Sequence, residues 1–137
     1  MELVDTSVWA RKDHPALREW FTSALIEGQI ALTDMIALEI LSGYGSRERF
    51  IVGARYLQAV PCVPMEAADW KRARGVYAEL EEKHGTNIRR SVKVPDLFIA
   101  ACAERHRLTI VHYDQDFETI AGVTGQPARW VAPRGTL

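Results

Sequence analysis

The sequence contains no apolar run approaching the roughly 20 residues a helix needs to cross a bilayer, so no membrane-spanning helix is expected. Its opening, Met1-Glu2-Leu3-Val4-Asp5, carries neither a basic start nor a cleavable apolar stretch. No secretory leader is therefore expected, and the chain reads as cytoplasmic. Cysteine is scarce. Cys62 and Cys102 stand alone, without a CxxC or a Cys/His cluster, which excludes a disulfide scaffold and a structural zinc site. Both lie among apolar neighbours and are expected as buried, reduced thiols. There is no GxSxG, P-loop or GxGxxG, so serine-elbow hydrolysis, nucleotide-phosphate cradling and dinucleotide binding lack their signatures. An excess of either charge is also missing: 17 basic and 18 acidic residues leave a net charge of −1, and no global attraction to polyanions follows. No internal repeat, low-complexity tract or linker interrupts the chain, and its 137 residues are expected to form a single domain, 1–137.

What is present is an ordinary globular balance, 47% apolar and 26% charged, in which helical and strand periodicities alternate. Glu2 to Asp5 reads as a strand ending in the polar turn Asp5-Thr6-Ser7. His14-Pro15 opens a helix with Leu17, Trp20, Phe21 and Leu25 inward, ended by Gly28. A strand at Ile30 to Leu32 precedes a helix over Met35 to Leu41, which Thr33 or Asp34 can cap. Further helices are expected over Arg47 to Gln58, Glu66 to Lys83, Pro95 to His106 and Asp116 to Ala121. Strands are expected over Ala59 to Val63, Leu108 to Val111 and, at an edge, Ala128 to Val131. Ala67, Trp70, Ala73, Tyr77 and Leu80 mark the inner face of the longest helix, and Gly85 to Lys93 reads as a polar, basic loop. Alternating strands and helices imply an α/β fold, a central parallel sheet with helices on both faces.

In such sheets ligands bind beyond the carboxyl ends of the strands. Asp5 sits at one such end, and Asp114 and Asp116 at another. Each has an ordinary explanation as a helix cap or turn residue. Asp96 follows Pro95 in a first helical turn, where the helix dipole alone favours a negative charge. Glu39 is less easily explained, because its neighbours Ile36, Ala37, Leu38, Ile40 and Leu41 leave few wet faces on that helix. A buried carboxylate needs a partner, either a metal ion or an arginine from elsewhere. Acids gathered in one cleft repel one another and call for a cation. An all-oxygen donor set suits Mg²⁺ or Mn²⁺, which can activate water and stabilise a phosphodiester displacement. Setting aside these five acids changes the net charge from −1 to +4, a mildly basic remainder around an acidic hole. Arg89, Arg90 and Lys93, and Lys71, Arg72 and Arg74, form two basic clusters suited to phosphate contacts or to solvated helix faces. His106 and His112 have the chemistry of bases, but a lone histidine beside an element end more often serves structure.

Four stretches together resemble the PIN-domain family, and within it the VapC-type toxins: Leu3-Val4-Asp5-Thr6-Ser7-Val8-Trp9, Ala37-Leu38-Glu39-Ile40-Leu41-Ser42-Gly43, Pro95-Asp96-Leu97-Phe98-Ile99-Ala100-Ala101 and His112-Tyr113-Asp114-Gln115-Asp116-Phe117-Glu118. The resemblance implies a PIN-like fold and a Mg²⁺- or Mn²⁺-dependent endoribonuclease acting on single-stranded RNA. It also implies a homodimer held in check by a cognate antitoxin protein that inserts an arginine among the acids. Carried over, it makes Asp5 and Asp96 the main metal ligands, with Asp114 completing the acidic group. Glu39 would bind metal through water or help activate the attacking water. Asp116 matches the later acid of the motif, and the sequence leaves open whether it or Asp114 lies nearer the metal. Thr6 or Ser7 would hydrogen-bond a ligand oxygen or cap the first helix.

Other readings are weaker. A haloacid-dehalogenase-like phosphatase would want a second Asp where Ser7 stands, and a receiver domain would want paired acids after the first strand. A catalytically silent PIN-like module for protein or RNA binding remains an alternative, as does a DNA-cleaving nuclease. Nothing in the residues themselves reads a 2′-hydroxyl, so RNA over DNA comes from the resemblance alone.

Overall fold

The computed structural model describes all of residues 1–137. Four short strands form one sheet: β1 (Glu2–Val4), β2 (Ile30–Ala31), β3 (Ile110–His112) and β4 (Ala128–Trp130). Between them run eight helices: α1 (Thr6–Trp9), α2 (Arg18–Ile26), α3 (Asp34–Ser42), α4 (Arg47–Gln58), α5 (Ala67–His84), α6 (Ile88–Ser91), α7 (Val94–Arg105) and α8 (Gln115–Thr124). Every strand pairing is parallel, in the order β2-β1-β3-β4. Leu3 pairs with Ile110 and Val4 with Val111. Successive residues of a strand face opposite ways, and Leu3, Val4, Ile110 and Val111 are all buried, so both faces of the sheet are covered. The α/β expectation with helices on both faces holds. The chain leaves β1 toward β2 on one side and later returns past it to β3 on the other, so the winding reverses between β1 and β3.

Several local expectations need correcting. The turn after β1 is a short helix, because the Asp5 carboxylate accepts the Ser7 N–H (2.8 Å) and so caps α1. The second helix starts three residues after Pro15, at Arg18. The His14 carbonyl takes the Leu17 and Arg18 N–H groups and turns the chain before regular helix begins. The strand expected over Ala59 to Val63 shrinks to one bridge, Leu32 with Cys62, since neither Pro61 nor Pro64 has an N–H to extend the ladder. Cys62 is exposed there, against expectation, while Cys102 is buried. Strand β3 begins at Ile110 because the Leu108 N–H instead closes the end of α7 on the Ala103 carbonyl (2.9 Å). The segment read as a basic loop contains α6, anchored by buried Ile88 and Val92 four residues apart.

Helix α5 shows why periodicity alone misplaces a face. Its buried residues are Asp69, Ala73, Val76 and Leu80, and Trp70 is 58% exposed, resting edge-on against Phe98 (4.0 Å between ring centroids). Asp69 is drawn inside by Arg105, whose Nε and Nη2 donate to its two oxygens (2.8 and 2.9 Å), while the Glu66 N–H also donates to it (2.8 Å). That pairing satisfies a carboxylate which would otherwise be costly to bury, and it rotates the helix away from the purely apolar solution.

The inner face of α5 therefore makes a prediction. Leu80→Ala should lower stability by about 3 kcal/mol, through lost transfer energy and a cavity. Trp70→Ala should cost only about 1 kcal/mol, the scale of its aromatic contact. Urea unfolding of both variants distinguishes them, and equal losses would contradict the observed face.

Candidate metal centre

The reversal between β1 and β3 opens a crevice at their carboxyl ends, where side chains from both connections converge. Asp5 directly follows β1, and its N–H still belongs to the sheet, donating to the Val111 carbonyl (2.9 Å). Asp114 follows β3 and caps α8 by accepting the Asp116 N–H (3.0 Å). The Ser7 hydroxyl accepts the Tyr113 N–H (2.9 Å) and so ties the two connections together. Asp96 enters from the first turn of α7, behind Pro95. The ordinary cap and first-turn roles are thus real for all three acids, and the caps hold the Asp5 and Asp114 carboxylates in place.

One oxygen each from Asp96, Asp114 and Asp116 lies within 4.8 Å of the other two. Asp96 Oδ2 is fully buried and has no hydrogen-bond partner. The nearest positive charge, Lys93 Nζ, is 3.7 Å away, beyond hydrogen-bonding range. A buried carboxylate oxygen without a donor is unusual and calls for a cation. Burial pushes the Asp96 carboxyl up to about 8; the Asp5 charge adds to the shift and Lys93 opposes it. Asp5 is likewise raised, first by burial, against the Ser7 hydrogen bonds and with a contribution from Glu39. Partial burial also works against the Asp114 charge. There the Asp116 N–H and the Lys93 ammonium prevail, and its carboxyl falls below the usual range. The residues fit a hard divalent cation: the donors are all oxygens, and one is orphaned and buried.

Glu39 stands next to this group rather than inside it. Thr6 Oγ1 donates to Glu39 Oε2 (2.5 Å), and the Glu39 charge reaches Asp5. The expectation that α3 is buried nearly all round is overturned. Leu38 is 64% exposed, and Met35, Ile40 and Leu41 are only partly covered. Glu39 therefore faces a groove of about 360 Å³ whose walls include Trp9, Lys12, Tyr44 and Tyr56, with none of the aspartates in its lining. The alternatives for Thr6 and Ser7 also resolve: neither caps α1, which Asp5 does, and each hydroxyl braces another part of the site.

Lys93 is the residue that the sequence reading misplaced. Grouped with Arg89 and Arg90 for phosphate contacts or a solvated helix face, it instead turns its ammonium toward the acids. It lies 2.5 Å from Asp114 Oδ2 and 3.4 Å from Asp116 Oδ2, and its backbone N–H donates to the same Asp116 oxygen (3.0 Å). The available signal was its spacing of three residues from Asp96, at the residue capping α7. His112 proves structural. It is fully buried, its Nδ1 accepts the Asp114 N–H (3.3 Å), and Nε2 therefore carries the proton toward Glu118 (2.9 Å). Burial holds it below the ordinary histidine value despite that partner. His106 is occupied with the Pro64 carbonyl (3.0 Å).

The raised Asp96 carboxyl has a measurable consequence. An unfolded aspartate titrates at about 4, so the folded chain keeps this proton to higher pH. The stability linked to Asp96 is then full below about pH 4 and is lost as pH rises toward 8. Thermal unfolding in EDTA should show a larger decline between pH 5 and 8 for the unaltered chain than for Asp96→Asn. Parallel pH curves would contradict the assignment.

Comparison with known proteins agrees with this geometry. A family model described as the PIN domain matches residues 3–123. The chain is 38% identical over 134 residues to ribonuclease VapC18 of Mycobacterium tuberculosis, covering 98% of this chain and 97% of that protein. It is 38% identical over 140 residues to ribonuclease VapC51 of the same organism, covering 98% and 96%. Among solved structures, DNA-bound VapBC from Salmonella typhimurium superposes with a TM-score of 0.73 at 20% identity, over 95% of this chain and 98% of that one. A family match over most of its length, near-complete alignment with VapC ribonucleases, and acids gathered at the β1/β3 crevice together place this chain in the PIN-domain family.

Proposed function

We propose that the chain is a Mg²⁺- or Mn²⁺-dependent endoribonuclease, the toxin of a toxin–antitoxin pair, acting in the cytoplasm as one domain spanning residues 1–137. The observation that carries this reading is the trio of carboxylate oxygens within 4.8 Å, together with an Asp96 oxygen buried without a donor. No helix is long and apolar enough to cross a membrane.

In this reading Asp96, Asp114 and Asp116 hold the metal, with Asp5 beside them as a further ligand or outer partner. A bound divalent ion supplies Lewis acidity toward a phosphoryl oxygen and lowers the pKa of water. The protein contributes position and proton handling. Thr6 Oγ1 occupies Glu39 Oε2 and leaves Oε1 free to accept a proton from the attacking water. Asp5 and Asp114 are locked by their own caps, so they keep their aim without relying on substrate.

RNA as substrate follows from the relatives named ribonucleases. The partner follows from structural neighbours described as a toxin–antitoxin complex and as a member of the VapBC family of toxin–antitoxin systems. An antitoxin arginine would find acids suited to bidentate pairing and would compete with the cation. A homodimer is part of the same proposal.

Purified chain freed of any antitoxin should cut cellular RNA into discrete fragments with Mg²⁺ or Mn²⁺, and EDTA should stop it. Asp5→Asn and Asp96→Asn should each lose on the order of 100-fold in cleavage, and Thr6→Val about tenfold through a loosened Glu39. Full activity in the aspartate variants would sink the site assignment. Equal cleavage of single-stranded DNA of matched sequence would shift the reading to a general nuclease.

A further inference from the structure

We propose that Lys93 is a built-in competitor of the divalent cation: its ammonium and the metal bind the same carboxylates, and the arrival of one expels the other. This rests on the metal-centre reading above. The three acids within reach of Lys93 Nζ, at 2.5, 3.4 and 3.7 Å, are Asp114, Asp116 and Asp96. These are the same three that offer the clustered oxygens. A metal ligated by them would meet the ammonium at contact distance, and two cations so placed repel strongly where water is partly excluded.

The two partners of each ion pair are held very differently. The Asp96, Asp116 and Asp114 side chains are 8%, 12% and 27% exposed, whereas that of Lys93 is 61% exposed. The acids are therefore the fixed part, and the lysine stem can swing outward. The backbone and side chain of Lys93 also act separately. The N–H that positions Asp116 belongs to the main chain and survives replacement of the side chain. Removing the charge therefore need not disorder the acids.

The test uses the full chain and Mn²⁺, with affinity read by calorimetry at fixed pH and ionic strength. Lys93→Met keeps the stem and loses the charge; it should bind Mn²⁺ about tenfold more tightly or better. Lys93→Arg should bind like the unaltered chain, and Asp96→Asn should lose binding. A second readout needs no variant. Amine acetylation at Lys93, followed by mass spectrometry against Lys71 as reference, should accelerate several-fold when Mn²⁺ replaces EDTA. If a folded Lys93→Met binds Mn²⁺ no better than the unaltered chain, or Lys93 acetylation ignores Mn²⁺, the competition is refuted while the metal centre stands. If the unaltered chain and Asp96→Asn bind Mn²⁺ alike, the metal-centre reading itself fails and takes the competition with it.

Discussion

The parallel pairing of β1 with β3 is the contact from which the site follows. Leu3 against Ile110 and Val4 against Val111 bring two distant stretches into register, and the Asp5 N–H extends the ladder by one bond to Val111. Because the chain winds outward in opposite directions from these two strands, nothing crosses over their carboxyl ends. The acids that follow them enter a common crevice without needing any long loop to aim them. Helix α7 then needs only to present its first turn to that crevice for Asp96 to complete the group.

Such a crowd of carboxylates opposes folding, and the structure offsets it in three ways. Backbone N–H groups of Ser7, Asp116 and Lys93 donate to Asp5, Asp114 and Asp116, with the first two bonds also capping helices. The Lys93 ammonium neutralises part of the charge. Asp96, which gets no donor on its inner oxygen, responds by holding its proton to higher pH. The cost of a site ready for a cation thus falls on the two most buried of these acids, Asp96 and Asp5, whose carboxyls burial raises.

Much of this was legible in the sequence for physical reasons. Asp5, Asp96 and Asp114 stood where strand ends and a proline-led helix turn could be read from local pattern, and local pattern is what fixed them. Glu39 was singled out for a reason that did not hold: its helix is half-exposed, and the neighbour that engages it is Thr6, 33 residues away. Lys93 was read with Arg89 and Arg90 because sequence adjacency suggests a shared surface. Adjacency carries no information about which way a side chain turns at a helix cap. Trp70 failed similarly, since the face of α5 was set by Asp69 and its distant partner Arg105, which hydropathy periodicity cannot see. Cys62 was taken as buried from apolar neighbours, yet it lies where two prolines stop a strand from forming.

The hydrogen bond from Tyr113 to Ser7 closes a loop of 106 residues. Contacts this far apart in the chain form late, because so much intervening polymer must first be ordered, and they slow folding relative to local structure. During synthesis, β1 can meet β2 early, but its other edge stays unpaired until β3 has been made. The acids therefore come together only after nearly the whole chain is available. A nascent chain that ends before Asp116 lacks the complete cluster of carboxylates.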